Sequence, residues 1–279
     1  MKSYFKFLAI FSIICFYSCE EVIDVDVPNQ TPKLVVDASI NWVKGTDGSE
    51  QLIKLLLSTD YFSSETSVPA LGADVKITNL ITNVVTQFTD NNDGNYITSD
   101  FNPELNTDYK LDIIYDGETY TSFEKFKSVS SISNITQTIS GGFNDSLIEV
   151  NIFFNDPVLE ENYYLVKFQE DVDLLPTFIV LKDEFTNGNE MTIFFEKDDD
   201  DNDSDALNTG DIVNIELIGV SKQYYNYMSL LLDQTEGQGP FATTPAPVNG
   251  NCINTSNPNK FAYGYFRLTE VDQETYVVE

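Results

Sequence analysis

The chain has no histidine, a single arginine (Arg267) and three cysteines among its 279 residues. Without imidazole there is no serine–histidine or cysteine–histidine catalysis, no histidine zinc site, and no general base of the commonest kind at neutral pH. One arginine cannot form the clusters that clamp phosphates or sugar acids. Cys15 falls inside an apolar leader and Cys19 at its end, so Cys252 has no partner for an internal disulfide. With no base to activate it, Cys252 reads as a buried small hydrophobe rather than a nucleophile. Positive charge is also scarce, with 15 Lys and Arg against 45 Asp and Glu and a net charge of −30. Such a surface repels nucleic-acid phosphates and anionic lipid headgroups and attracts divalent cations, which excludes nucleic-acid binding by the usual neutralisation. No P-loop, no G-x-G-x-x-G after a strand and no G-x-S-x-G elbow occurs. Acid pairs such as Glu160-Glu161 with Glu184 say nothing about glycoside hydrolysis without a measured separation, because with this many carboxylates some pair always looks suggestive.

The first feature present is a leader. Lys2 and Lys6 precede the run FLAIFSIICFY from Phe7 to Tyr17, long enough for a signal-peptide core and too short to span a bilayer. Ser18-Cys19 then resembles the bacterial lipobox, although Phe16 and Tyr17 are bulkier than its usual residues. Residues 1–18 are thus expected to be removed and Cys19 to carry the lipid. The alternatives are an ordinary cleaved signal peptide or a buried N-terminal helix. The missing A-x-A site and the polar onset at Glu20 favour the anchor. Two or three acyl chains on one cysteine hold a protein to a membrane permanently. Glu20 and Glu21, followed by Asp24 and Asp26, resemble the acidic surface-export signal of Bacteroidota lipoproteins, and placement on the outer face of the outer membrane follows from that likeness. Their plainer reading is a solvated tether over residues 19–32.

Hydrophobic residues make up 42% of the chain and aromatics 13%, ample for a core. The expected fold class is all-β. Seven short segments between residues 33 and 127 read as strands, separated by turn signals at Gly45–Gly48, Asn91–Gly94 and Asp116-Gly117. Asp116-Gly117 is the strongest hairpin signal, and the series predicts an immunoglobulin-like β-sandwich. QLIKLLLS (51–58) is apolar on both faces, as in a strand packed on two sides. Residues 128–279 predict a second, mostly antiparallel β domain, with strands in 147–156, 162–169, 178–182, 191–197, 211–220 and 260–271. One helix is expected over 221–236, capped by Ser221 and lying across the second sheet, with Tyr224, Met228, Leu231 and Leu232 on one face and Gly237 ending it.

The acid run after Lys197 places Asp199, Asp201, Asp203 and Asp205 at every second position, the spacing with which oxygen ligands wrap Ca2+. It departs from the EF-hand pattern, with Ser204 at the glycine position and Gly210 at the bidentate glutamate, and a solvated loop over 198–205 is the competing reading. Trp42, Tyr61, Phe62 and Phe241 are candidates for exposed aromatics at a sugar or peptide surface, weighed against core packing.

Several stretches together resemble the Bacteroidota lipoproteins of domain-of-unknown-function family 4249. They are Cys19–Pro28 (CEEVIDVDVP), Leu34–Ile40 (LVVDASI), Val68–Val75 (VPALGADV), Asp93–Tyr96 (DGNY), Phe154–Pro157 (FNDP), Asn162–Tyr164 (NYY) and Tyr263–Leu268 (YGYFRL). The resemblance spans nearly the whole chain beyond the leader. It implies a lipoprotein that assists or caps a TonB-dependent outer-membrane receptor, and it supplies no catalytic residue. The expected function is therefore a non-catalytic accessory or ligand-binding partner of such a transporter. A structural or adhesive surface protein is the alternative, and a hydrolase ranks below both.

Overall fold

The computed structural model describes residues 31–60, 67–139, 141–142, 144, 146–158, 160–197, 206–236 and 247–279. The first unit is built from β1 (Leu34–Val43), β2 (Gln51–Leu57), β3 (Val68–Pro69), β4 (Asp74–Asn79), β5 (Val85–Asp90), β6 (Asn95–Thr98), β7 (Asp108–Tyr115) and β8 (Glu118–Lys125). Its main strands follow the spatial order β1-β2-β6-β5-β4-β7-β8, and the short β3 pairs with β2. Because β5 pairs with both β6 and β4, the sheet folds over on itself. The layer β1-β2-β6-β5 thereby faces β4-β7-β8, the four-on-three arrangement of an immunoglobulin-like sandwich. Period-two alternation sends Val36, Ala38 and Ile40 inward, where they join Phe88, Tyr96, Tyr109, Leu111 and Phe126 in one core. At the tip of the β7–β8 hairpin both turn residues have positive φ, Asp116 at 48° and Gly117 at 74°. This geometry makes Asp-Gly so strong a signal. β2 departs from expectation: Ile53 and Leu55 are buried, but Leu52 is 48% exposed. Among the described residues no layer covers its outer face, so its second set of apolar side chains is only half-buried or exposed.

The second unit comprises β9 (Ile132–Thr138), β10 (Glu149–Asn155), β11 (Tyr163–Glu170), β12 (Thr177–Lys182), β13 (Glu190–Glu196), β14 (Ile212–Val220) and helix α1 (Lys222–Glu236). A three-stranded sheet, β13-β10-β9, packs on β12-β11-β14. The pairs within both sheets are antiparallel. Val150, Ile152 and Phe154 from one sheet meet Val166, Phe168, Ile215 and Leu217 from the other. On the outer face Tyr163, Leu165, Ile218 and Val220 are covered by Tyr224 and Met228 of α1. β11 is buried on both faces for that reason. Ser221 caps the helix as expected, its Oγ accepting from the Tyr224 amide at 3.2 Å and its carbonyl from the Tyr225 amide at 2.9 Å.

Two further strands tie the end of the chain to its beginning. β15 (Ile253–Asn254) pairs with β8, and the 15-residue β16 (Tyr263–Val277) runs through both units. Its first part lies parallel to β1, from Val35↔Tyr263 to Val43↔Val271. Its second part lies antiparallel to β14, from Ile218↔Val271 to Ile212↔Val277. Segments 253–254 and 263–271, assigned to the second unit from sequence, thus hydrogen-bond to strands of the first. Phe266 and Leu268 enter the first core, Tyr265 and Val271 lie under α1, and Tyr276 packs on the second core. Gly264 makes the close start of this pairing possible. At φ +86° a Cβ there would sit 1.9 Å from the Val36 carbonyl oxygen, so no other residue fits.

Candidate binding groove

Where β16 joins the two units, the outer face of the strand series β11-β14-β16-β1 forms the floor of a groove of about 640 Å³. Alternation places Asp37, Ser39 and Asn41 of β1 on this face, beside Tyr265 and Arg267 of β16. Lys167 and Gln169 of β11 and Glu216 of β14 continue the floor. Tyr224, Tyr227, Met228 and Leu231 of α1 make one wall, and Leu174, Pro176 and Phe178 line it from the β11–β12 side. Leu174 is 96% exposed, although it lines the groove. The site is thus a polar floor with an apolar and aromatic border, the usual composition of a small-ligand site.

The charges are unevenly matched. Lys167 and Glu216 are cross-strand neighbours and form an ion pair at 2.9 Å. Asp37 accepts from the Ser39 hydroxyl at 2.9 Å. Arg267 is 8% exposed, and its guanidinium donates once, from Nη1 to Asn41 Oδ1 at 2.8 Å. Its Nε is buried without an acceptor, and no carboxylate lies within ion-pair distance of it among the described residues. Asn41 is held in turn by Gln51, which donates to its carbonyl at 2.9 Å and accepts from its amide at 3.1 Å. The Tyr224 ring lies 5.3 Å from the guanidinium carbon, within cation–π range. Burial pushes the Tyr227 hydroxyl up to about 12, with Tyr224 and Asp37 adding to it, so this side chain of the wall stays neutral. Tyr265 is raised as well, first by burial and then by the nearby Glu124.

The residues singled out from sequence lie elsewhere. Cys19, Glu20, Glu21, Asp199, Asp201, Asp203, Asp205, Tyr61, Phe62, Phe241 and Gly237 all fall outside the described residues. The acid run is flanked by anchored positions. Lys197 pairs with Glu170 at 2.8 Å and Asp173 at 2.9 Å, and Leu207 is buried in the second core. No group of three or more metal-ligating side chains occurs among the described residues. Trp42 is half-buried against the first core, edge-on to Phe126, and so is a packing residue. Cys252 is 4% exposed, and burial pushes its thiol up to about 12, as suits an inert small hydrophobe. Glu161 and Glu184 each pair with a lysine, Lys222 and Lys182. Sequence reasoning passed over the groove itself. The one available signal was the lone arginine, which counted only against phosphate clamping.

A family model described as a domain of unknown function, DUF4249, matches residues 20–275. No curated protein matches the chain. Among solved structures, a two-domain fibronectin type-III segment of chicken tenascin is 11% identical, with a TM-score of 0.21 over 68% of this chain and 91% of that one. The fibronectin FN1–FN3 domains of chicken CNTN1 are 13% identical, with a TM-score of 0.26 over 69% of this chain and 62% of theirs. The chicken interferon gamma receptor alpha chain is 9% identical, with a TM-score of 0.22 over 68% and 89%. Likenesses this low bear no weight on the architecture, which rests on the strand pairing above.

Proposed function

We propose, for a chain that belongs to the DUF4249 family, a non-catalytic role as a ligand-binding accessory of a TonB-dependent outer-membrane transporter, held at the cell surface by a lipid on Cys19. The observation that carries this reading is the groove. It is concave and bordered by tyrosines, and it holds a buried cation that pairs with no acid among the described residues. The leader, the cysteine at its end and the acids Glu20 and Glu21 support the placement. The acidic surface keeps the folded part off anionic headgroups, which suits a protein that works at the end of a tether.

Two measurements test the reading separately. Labelled palmitate should enter the wild-type chain and be absent from Cys19→Ala, which should also leave the membrane fraction. Detergent-solubilised membranes should yield the protein together with a TonB-dependent receptor. Recovery of the acylated chain only as a free monomer removes the transporter partnership and leaves the anchor standing. A structural or adhesive role is favoured instead by the way β16 pairs with strands of both β units and so couples them mechanically. A deletion strain that loses attachment while keeping nutrient uptake would decide for it.

A further inference from the structure

We propose that the groove takes its ligand by a single carboxylate seated on the Arg267 guanidinium, an inference that rests on the ligand-binding reading above and names the chemistry of what is bound. A guanidinium offers five N–H donors in a planar fork that matches a carboxylate in bidentate fashion. Here Asn41 takes one of them, while Nε is buried and donates to nothing among the described residues. A buried cation is normally compensated, because removing it from water is costly. In a chain with 45 acidic residues, carboxylates are not in short supply. Among the described residues the arginine nevertheless faces a groove instead of an acid, and the counter-charge is the one a ligand brings.

The rest of the floor selects among anions. Asp37 lies two residues from Ser39, the register partner of Arg267, or about 6.6 Å along the strand at roughly 3.3 Å per residue. Glu216 also faces the groove and is already neutralised by Lys167. A doubly charged phosphate would balance Arg267 and then meet Asp37 with charge to spare. One carboxylate balances the arginine and leaves Asp37 free to accept from an ammonium or hydroxyl of the same ligand. Tyr224 and Tyr227 line the groove and give it an aromatic border for the ligand body. The carboxylate can come from the C-terminus of a short peptide or from a sugar acid, and the experiment separates these sources.

The full acylated chain, purified in detergent, is titrated calorimetrically with three probes: the tripeptide Gly-Leu-Phe as free acid, its C-terminal amide, and the monosaccharide galacturonate, which carries one carboxylate. Binding of the free acid at least tenfold tighter than the amide assigns the peptide source, and binding of galacturonate assigns the sugar acid. In either case Arg267→Gln should weaken binding at least tenfold, and Arg267→Lys should restore part of it. If Arg267→Gln does not fold, Tyr227→Ala, which removes part of the wall and keeps the charge, should weaken the same probe several-fold. The proposal is overturned if no probe binds at millimolar concentration, if the tripeptide binds equally tightly as acid and as amide, or if a folded Arg267→Gln binds as the wild type does. Loss of receptor co-purification with carboxylate binding intact would remove the transporter reading and leave this one standing.

Discussion

In the first unit most buried polar side chains are amides and hydroxyls with local partners, whereas in the second they are chiefly carboxylates. Gln51 donates to the carbonyls of Asn41 and Gly48, both at 2.9 Å. Asn79 accepts from the Ile81 and Thr82 amides, and Asn254 from those of Ser256 and Asn257. Each of these neutral groups closes a turn and is satisfied by it. In the second unit Asp156 accepts from the Tyr164 hydroxyl at 2.5 Å and the Gly188 amide at 2.9 Å, and Glu170 holds Lys197. Glu149 and Glu196 are opposite one another on β10 and β13, each with a buried oxygen that has no donor among the described residues. Asp183 is 1% exposed and has a similarly unmatched oxygen. A neutral amide in a turn costs little to bury, but a carboxylate needs charge-assisted partners and repels its like. The second unit therefore buries more negative charge than the first, and part of it is imperfectly matched. β16 couples the two.

That coupling is open to direct attack. Phe154→Ala, in the second core, should cost about 3–5 kcal/mol. Trp42, in the first unit, reports by fluorescence, and far-UV circular dichroism reports on both. With β16 shared, the urea midpoints of the two probes should fall together, whereas a fluorescence midpoint that stays put would mean independent units. Asp156→Ala should cost about 2–3 kcal/mol by stranding a buried hydroxyl and a backbone amide, and Asn79→Ala, its neutral counterpart in the first unit, about 1 kcal/mol. Equal losses from the two variants in denaturant titrations would erase the contrast. Ser221→Ala should remove about 1 kcal/mol by uncapping α1, read as a lower thermal midpoint. Glu196→Gln should raise stability by roughly 0.5–1 kcal/mol at neutral pH by relieving a like-charge cross-strand pair, and a loss there would show that the pair is compensated.

The smallest effect concerns Glu124, the exception in the first unit, which is 8% exposed and accepts from the Ser221 hydroxyl at 3.2 Å. Its carboxyl is raised from the ordinary glutamate value, first of all by burial. The fold therefore holds this proton more tightly than the unfolded chain does. The stability it adds is complete below the ordinary glutamate range and is lost as pH rises through the raised value. Glu124→Gln should flatten that part of the stability–pH curve, and an unchanged slope would contradict this account.

Local chemistry made much of the secondary structure legible. The β4, β6 and β7 segments were readable from alternation to within their ends, and the β7–β8 hairpin from Asp116-Gly117. Helix α1 was readable from Ser221 and its apolar stripe. β9 was missed because neither face of Ile132–Thr138 is fully buried, so no alternation marks it. β15 pairs over two residues and leaves no pattern at all. β2 was overread, since an apolar outer face signals nothing unless something covers it. The groove was less legible still. Its floor needs β1 and β16 side by side, and the Asn41–Arg267 hydrogen bond joins residues 226 positions apart.

Sequence alone determined the chemistry this protein lacks, its acidic surface, its all-β character and the places where its turns form, because each depends on composition or on neighbours a few residues apart. Tertiary structure alone decided that the last long strand runs beside the first, that the two units share it, and that the one arginine is buried at their junction without a carboxylate partner among the described residues. Those outcomes depend on which strands pair across the length of the chain, and no local pattern records that choice.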